Sequence, residues 1–287
     1  NLVFPIGTNM GERFLFMPSV GFVLIVAAFL MRLTEAGQGF DLQKIKTPLA
    51  VLGVVVALFS LKTVLRNPAW YDDERLFFTD LETSSRSAKI QNACGGVCCT
   101  NGTKETDPAK RAEWFRKSVN YLSKCLEIHP TYKDALLNRG ISYYHLQEFD
   151  KAIADFRYVT EIAPNEPKGP TNLAIALRDG GKFYGEKKGD LATALRYLNE
   201  SVKLRPDDNE TLRLLGVANG VARNHAEAIR WFTRLTELAP ENAVAWYDLG
   251  IAYGAAGDIA KAKELEAKAF QMNPNVLEER AGTAQKK

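Results

Sequence analysis

The chain has 287 residues, 25% of them charged, and a formal net charge of +3. That balance is too close to neutral for a phosphate-binding surface, which shows as a strong basic excess, so no nucleic-acid partner is expected. The length allows one to three domains, and the sequence changes character near residue 66, from mostly apolar to polar, charged and helix-forming.

The first residue is Asn1, not Met, and no basic start or small-residue cleavage site marks a signal peptide. The sequence therefore reads as a fragment of a longer chain. From Phe14 to Met31 no residue is charged, and Arg13 and Arg32 bracket the run. A second run, Pro48 to Leu65, carries one charge, Lys62, near its end, where a long stem reaches the headgroups. At about 1.5 Å per residue each run approaches the roughly 30 Å of a hydrocarbon core. Two transmembrane helices, 14–31 and 48–65, are expected to close a multi-spanning membrane domain over 1–66, with the lipid bilayer as partner. Two such runs this close are rare in soluble chains, which disfavours a pair of buried helices. Arg32, Lys44 and Lys46 lie between the runs. Positive-inside counting puts that loop on the cytoplasmic side, and Arg13 with everything after Arg66 on the outer face.

Residues 67–86 read as a connector. Its acidic run Asp72, Asp73, Glu74 beside Arg75 suits an interfacial helix with solvated charges. Beyond it Pro130, Pro164, Pro206, Pro240 and Pro274 recur at spacings of 34, 42, 34 and 34 residues. A 34-residue helix–turn–helix period is that of the tetratricopeptide repeat. The last repeat places Trp246, Leu249, Gly250 and Tyr253 on a first helix, Gly257 in the turn, and Ala262 and Ala269 on a second helix. Gly140, Tyr143, Ala152 and Phe156 keep the pattern, as do Gly216, Ala228 and Phe232. Small residues let the two helices cross closely, and the proline ends the second helix. The fold class is therefore all-α: two transmembrane helices followed by a tetratricopeptide α-solenoid of about five units over 87–276. Two units depart from the period. The first reads as a helix NACGGVCCTNG, a long turn and a second helix, and the third holds an insertion, GGKFYGEKKGD, between its helices. The tail 277–287 is polar and expected to fray.

Such stacks bind extended peptides in the groove lined by their first helices. Asn138, Asn172 and Asp248 occupy equivalent places there, and Asn side chains donate to and accept from a peptide backbone at once. Tyr144 and Tyr247 complete the groove candidates for a protein or peptide partner. The alternative is ordinary polar surface. The Lys, Arg and Asn set of a carboxylate clamp is not evident. Cys94, Cys98, Cys99 and Cys125 are best read as small core residues, with a disulfide or a metal site as alternatives. No paired CxxC spacing or nearby His supports a metal, and none is expected. His129, His145 and His225 are scattered, and no nucleophile is paired with a base. The N-x-[ST] matches at Asn101, Asn199 and Asn209 are close to chance in a chain of this length.

Two phrases outside the repeats are more specific. Glu12, Arg13, Phe14, Pro18, Ser19, Gly21 and Phe22 open the first apolar run, and Trp70, Asp73, Glu74, Leu76 and Phe77 bridge to the repeats. Together they resemble the transmembrane and tetratricopeptide-containing protein O-mannosyltransferases and their bacterial relatives. The resemblance covers the whole chain and implies the C-terminal part of a GT-C type membrane glycosyltransferase, a bacterial relative of that family. Such an enzyme uses a lipid-linked sugar donor, such as polyprenyl-phosphate mannose, and no other cofactor. It implies a catalytic acid in an upstream outer loop, so no catalytic residue is assigned here. It also implies an integral membrane protein with its repeats on the periplasmic or endoplasmic-reticulum luminal side. Under it, Arg13 contacts the donor phosphate, since a guanidinium matches phosphate oxygens two at a time, with Glu12 in support. Pro18 kinks the helix to open a cavity. Simple interfacial anchoring by Arg13 is the competing reading. For the chain as a whole, a protein O-glycosyltransferase fragment whose repeats bind the acceptor stands against a membrane-anchored repeat scaffold without chemistry.

Overall fold

The computed structural model describes residues 26, 28, 42–66 and 71–285, and among these every regular element is a helix. The chain divides into two compact units, Asn1–Leu76 and Phe77–Lys287.

In the first unit α1 runs from Leu42 to Arg66. The expected span 14–31 lies outside the described residues apart from Val26 and Ala28. Among the described residues no helix is long and apolar enough to cross a membrane. The expectation of two membrane-spanning helices is therefore not met there. The side chains of α1 are described without a break over 50–65. Those side chains are nonetheless exposed and largely apolar, among them Val54, Leu58, Phe59, Leu61 and Leu65.

Helix α2, Asp73–Thr83, crosses from the first unit into the second. The Asp72 carboxylate accepts from the Arg75 N–H at 2.7 Å, and Asp73 and Glu74 lie in the first turn, where the helix dipole favours negative charge.

The rest of the second unit is a stack of helical hairpins. They pair α3 (Ala88–Lys104) with α4 (Pro108–Ile128), α5 (Lys133–His145) with α6 (Phe149–Ile162), and α7 (Lys168–Phe183) with α8 (Leu191–Leu204). Two more pairs follow, α9 (Asn209–Val221) with α10 (His225–Leu238) and α11 (Ala243–Ala255) with α12 (Ile259–Met272). A last helix, α13 (Val276–Gln285), packs on α11.

Local chemistry sets these boundaries. The residues before the five prolines, His129, Ala163, Arg205, Ala239 and Asn273, all leave the helical region at ψ values between 68° and 105°. A following proline excludes the α conformation from its predecessor. Asp107, Asp190, Asp208, Asn242 and Asp258 start helices by accepting backbone N–H groups on their side chains. Within the hairpins Gly140 faces the Phe156 ring and Gly216 faces Phe232, where a Cβ would fall 2.6 Å from ring carbon in each case. Gly102 faces Phe115 in the same way, and this aligns the irregular first unit with the others.

Three local expectations change. The long turn of the first unit shrinks to residues 105–107, because α3 continues to Lys104 and Asp107 with Pro108 starts α4 at once. The insertion of the third unit is absorbed by extending α7 through Gly180 and Gly181, which pack against Phe149 and Leu198, into a π-helical turn, Tyr184–Lys188. Gly189, at φ +66°, closes that turn. The tail is helical through Gln285, because Val276 is fully buried against Ala243 and Val244 and Arg280 finds an acidic partner on α11.

Candidate functional site

The first helices of the hairpins, α5, α7, α9 and α11, turn one face toward the second helices and another away from them. Gly140, Ala174, Gly216 and Gly250 are small or absent side chains at the crossings. Residues near one quarter-turn further round line the candidate groove.

On α5, Asn138 is half-buried and its Nδ2 lies 3.6 Å from where a Cβ on Gly96 of α3 would stand. The Tyr144 hydroxyl donates to Asp179 of α7 at 2.5 Å, and burial together with that carboxylate pushes its pKa up. Arg178, one residue away, donates to Asp179 at 2.8 and 3.2 Å and stands 3.7 Å from Asp208. Asp208 in turn caps α9, accepting from the Thr211 backbone at 3.0 Å and its hydroxyl at 2.5 Å. These cap bonds and nearby arginines outweigh burial and hold the Asp208 carboxyl below the usual range. A polar path thus crosses three hairpins. Asn172 is half-buried on α7.

Further along, Arg213 of α9 donates to Glu210 at 3.2 Å. Asp248 is placed differently from Asn138 and Asn172. It is 2% exposed, and Arg280 of α13 donates to its Oδ1 at 2.6 Å. Its Oδ2 is buried without a hydrogen-bond partner. Burial raises the Asp248 pKa, although Arg280 and Arg213 oppose this. Tyr247 packs edge-on against Phe270, with the Arg280 guanidinium 5.9 Å above its ring. The carboxylate of Asp248 therefore answers the last helix of the chain. Glu12 and Arg13 lie outside the described residues.

The cysteines form no bridge. All four are buried and no disulfide joins them, which favours the small-core reading over the disulfide alternative. The Cys94 thiol donates to the Phe77 carbonyl at 3.4 Å, and that of Cys99 to the Asn138 carbonyl at 3.8 Å. Burial pushes the Cys94 and Cys125 thiols up to about 11. Among the described residues no group of three His, Cys, Asp or Glu side chains is arranged to hold a metal. His145 stacks on Phe115 at 4.5 Å with near-parallel rings. His225 begins α10, and His129 lies beside Thr131 and Tyr132.

Two crevices lie elsewhere on the stack. One, of about 660 Å³, is lined by Val202, Pro206, Trp231 and Leu238, and its arginines, Arg230 and Arg234, are engaged by Glu227 and Asp207. The other, of about 360 Å³, opens onto Arg139 and Asp155. Sequence reasoning missed the pairs Arg178–Asp179, Arg213–Glu210 and Arg139–Asp155. For Arg139–Asp155 the signal available was the departure of Arg139 from the leucine that three other repeats carry at the same place, Leu173, Leu215 and Leu249.

The hairpins and their register define a tetratricopeptide-repeat α-solenoid. Tetratricopeptide repeat family models match residues 134–166, 186–243 and 231–264. Among named proteins the chain is similar to Protein O-mannosyl-transferase TMTC3 of Mus musculus, 25% identical over 267 residues, 88% of this chain and 26% of that protein. It is similar too to Protein O-mannosyl-transferase Tmtc3 of Drosophila melanogaster, 26% identical over 169 residues, 59% of this chain and 17% of that one. The chain thus spans about a quarter or less of the length of these relatives. Both are animal proteins and lend nothing to the expectation of a bacterial source. Of solved structures, "YrrB: a TPR protein with an unusual peptide-binding site" superposes with a TM-score of 0.50 at 19% identity, over 71% of this chain and 97% of that one. That likeness concerns the fold alone.

Proposed function

We propose that this chain is the C-terminal part of a membrane-bound protein O-mannosyltransferase, with a repeat arm that holds the protein acceptor. The observation that carries the reading is the extent of the similarity to the mouse enzyme. At 88% of the chain it exceeds what the helical stack from Ala88 to Gln285 can supply, so it takes in sequence before the repeats. A generic repeat match would stop at the stack.

The roles divide between the two parts. The apolar side chains of α1 are exposed, and a surface of that kind suits a lipid environment better than water. The bilayer holds this part and the lipid-linked donor. Arg13 contacts the donor phosphate through paired N–H groups, and Glu12 orients it. The repeats lie on the outer, periplasmic or luminal side, where the groove of α5, α7, α9 and α11 presents an acceptor segment. The chemistry of sugar transfer belongs to parts of such an enzyme beyond this segment, and no catalytic residue is assigned here.

The test uses the full-length protein reconstituted in membranes with polyprenyl-phosphate mannose and an acceptor protein. Transfer of mannose is expected, with donor affinity falling on Arg13→Ala. Unchanged donor affinity in that variant refutes the role of Arg13, and absence of transfer refutes the enzyme reading. A second reading is a membrane-anchored scaffold that assembles proteins without catalysis. It is favoured by the confinement of all three family matches to the repeats.

A further inference from the structure

Four residues occupy one structural position in four successive hairpins. Ile141, Ile175, Val217 and Ile251 each follow the small residue at a hairpin crossing: Gly140, Ala174, Gly216 and Gly250. All four are β-branched and aliphatic. A position one step past the crossing turns away from the second helix and onto the groove side. Ile141 and Ile175 are half-buried, whereas Val217 is 36% and Ile251 40% exposed. Val221, one turn beyond Val217, is more open still. In α9 and α11 the residue three past the row is glycine, Gly220 or Gly254, where α5 and α7 carry Tyr144 and Arg178. A Cβ on Gly220 would meet nothing within 4 Å. The groove floor is thus an aliphatic row that becomes barer toward the C-terminal hairpins.

The ionic groups beside the row answer one another. Arg178 is held by Asp179 and Asp208, Arg213 by Glu210, and Asp248 by Arg280. A charged ligand would have to break these pairs, and breaking a largely buried pair strands a charge. The row and the self-neutralised flanks match an uncharged, aliphatic partner. Spacing narrows this further. Neighbouring packed helices lie about 8–10 Å apart. In a polyproline-II chain, with three residues per turn and about 3.1 Å rise, every third side chain points the same way at about 9 Å intervals. In a β-strand, alternate side chains repeat at only about 7 Å.

Resting on the groove reading above, the geometry points to a neutral, extended segment of a partner protein, with aliphatic side chains at every third position, seated along Ile141, Ile175, Val217 and Ile251. Asn138 and Asn172, half-buried on the same helices, face its backbone amides.

The test measures fluorescence anisotropy of end-blocked twelve-residue peptides with the full chain in lipid nanodiscs. One peptide carries Val and Ile at every third position among neutral residues. The second carries the same residues at every second position, and the third replaces the aliphatics of the first with Glu. The first is expected to bind at least tenfold more tightly than either other. Val217→Asp and Ile251→Asp are each expected to cost at least tenfold. Ile251→Thr, which keeps the β-branched shape, is expected to weaken binding with an unchanged melting curve. Leu238→Asp on the far side of the stack is expected to change nothing. Preference for the Glu peptide, lost on Asn138→Ala or Asn172→Ala, overturns the aliphatic row and leaves the groove standing. Equal binding of the first two peptides overturns the spacing. No binding of any peptide overturns the proposal and the groove reading together.

Discussion

Replacing Arg139 by leucine should destabilise the second hairpin, although leucine is what its sister repeats carry there. The guanidinium donates to Asp155 through Nε at 2.8 Å and Nη2 at 2.7 Å, and to Ser123 through Nη1 at 3.2 Å. The side chains are 21% and 8% exposed. At the two equivalent positions the three later hairpins hold Leu173 with Tyr197, Leu215 with Trp231 and Leu249 with Leu265. Removing one partner of a buried pair costs about 3–5 kcal/mol, because the remaining charge is stranded. The crevice of about 360 Å³ beside the pair admits water, so the lower end, about 3 kcal/mol, is expected for Arg139→Leu. The double variant Arg139→Leu, Asp155→Leu restores the apolar packing of the sister repeats and should match or exceed the parent by about 1–4 kcal/mol. Stacked repeats need not unfold as one unit, so hydrogen exchange of α5 and α6 under mild urea reports the local effect. A single variant within about 0.5 kcal/mol of the parent, or a double variant no better than the single, would refute the reasoning.

Other outcomes follow from the same packing. Cys94 and Cys125, buried and with thiols near 11, should resist iodoacetamide at pH 8 in the native protein and react once it is unfolded, as read by mass spectrometry. Burial, with Arg111 nearby, holds the pKa of His145 below its ordinary 6.5. Its contribution to stability is therefore complete above about pH 6.5 and is lost as pH falls toward the folded value. His145→Phe should flatten the melting temperature between pH 7.5 and 5, and an unchanged slope would exclude this histidine. Arg280→Ala strands the buried Asp248 and should cost about 1–3 kcal/mol, with α13 amides losing exchange protection first. Gly216→Ala places a methyl 2.6 Å from the Phe232 ring and should cost about 1–3 kcal/mol, measured as a urea midpoint.

Much of the stack is legible from particular residues. The five prolines mark the ends of second helices because the preceding residue cannot stay helical, and this is a covalent effect that needs no tertiary context. Gly140 and Gly216 announce close crossings opposite Phe156 and Phe232, because only a missing Cβ fits under those rings. The tail differs from its expected fraying for the opposite reason. LEERAGTAQKK has a polar composition, and its helix depends on Val276 finding Ala243 and Val244 and on Arg280 finding Asp248, 32 residues earlier. Asn138, Asn172 and Asp248 are equivalent by spacing, yet Asp248 is drawn to α13 while the two asparagines are not.

The all-helical class, the repeat length, the small residues at crossings and most helix ends can be read from the residues alone, since these arise from local sterics and a regular period. Which charges meet is set by the packed fold. Tyr144 reaches Asp179, Arg178 approaches Asp208 and Arg280 reaches Asp248 across hairpin boundaries. Those pairings depend on the angle at which one hairpin stacks on the next. That angle is set by the summed packing of many side chains and leaves no periodic mark in the sequence.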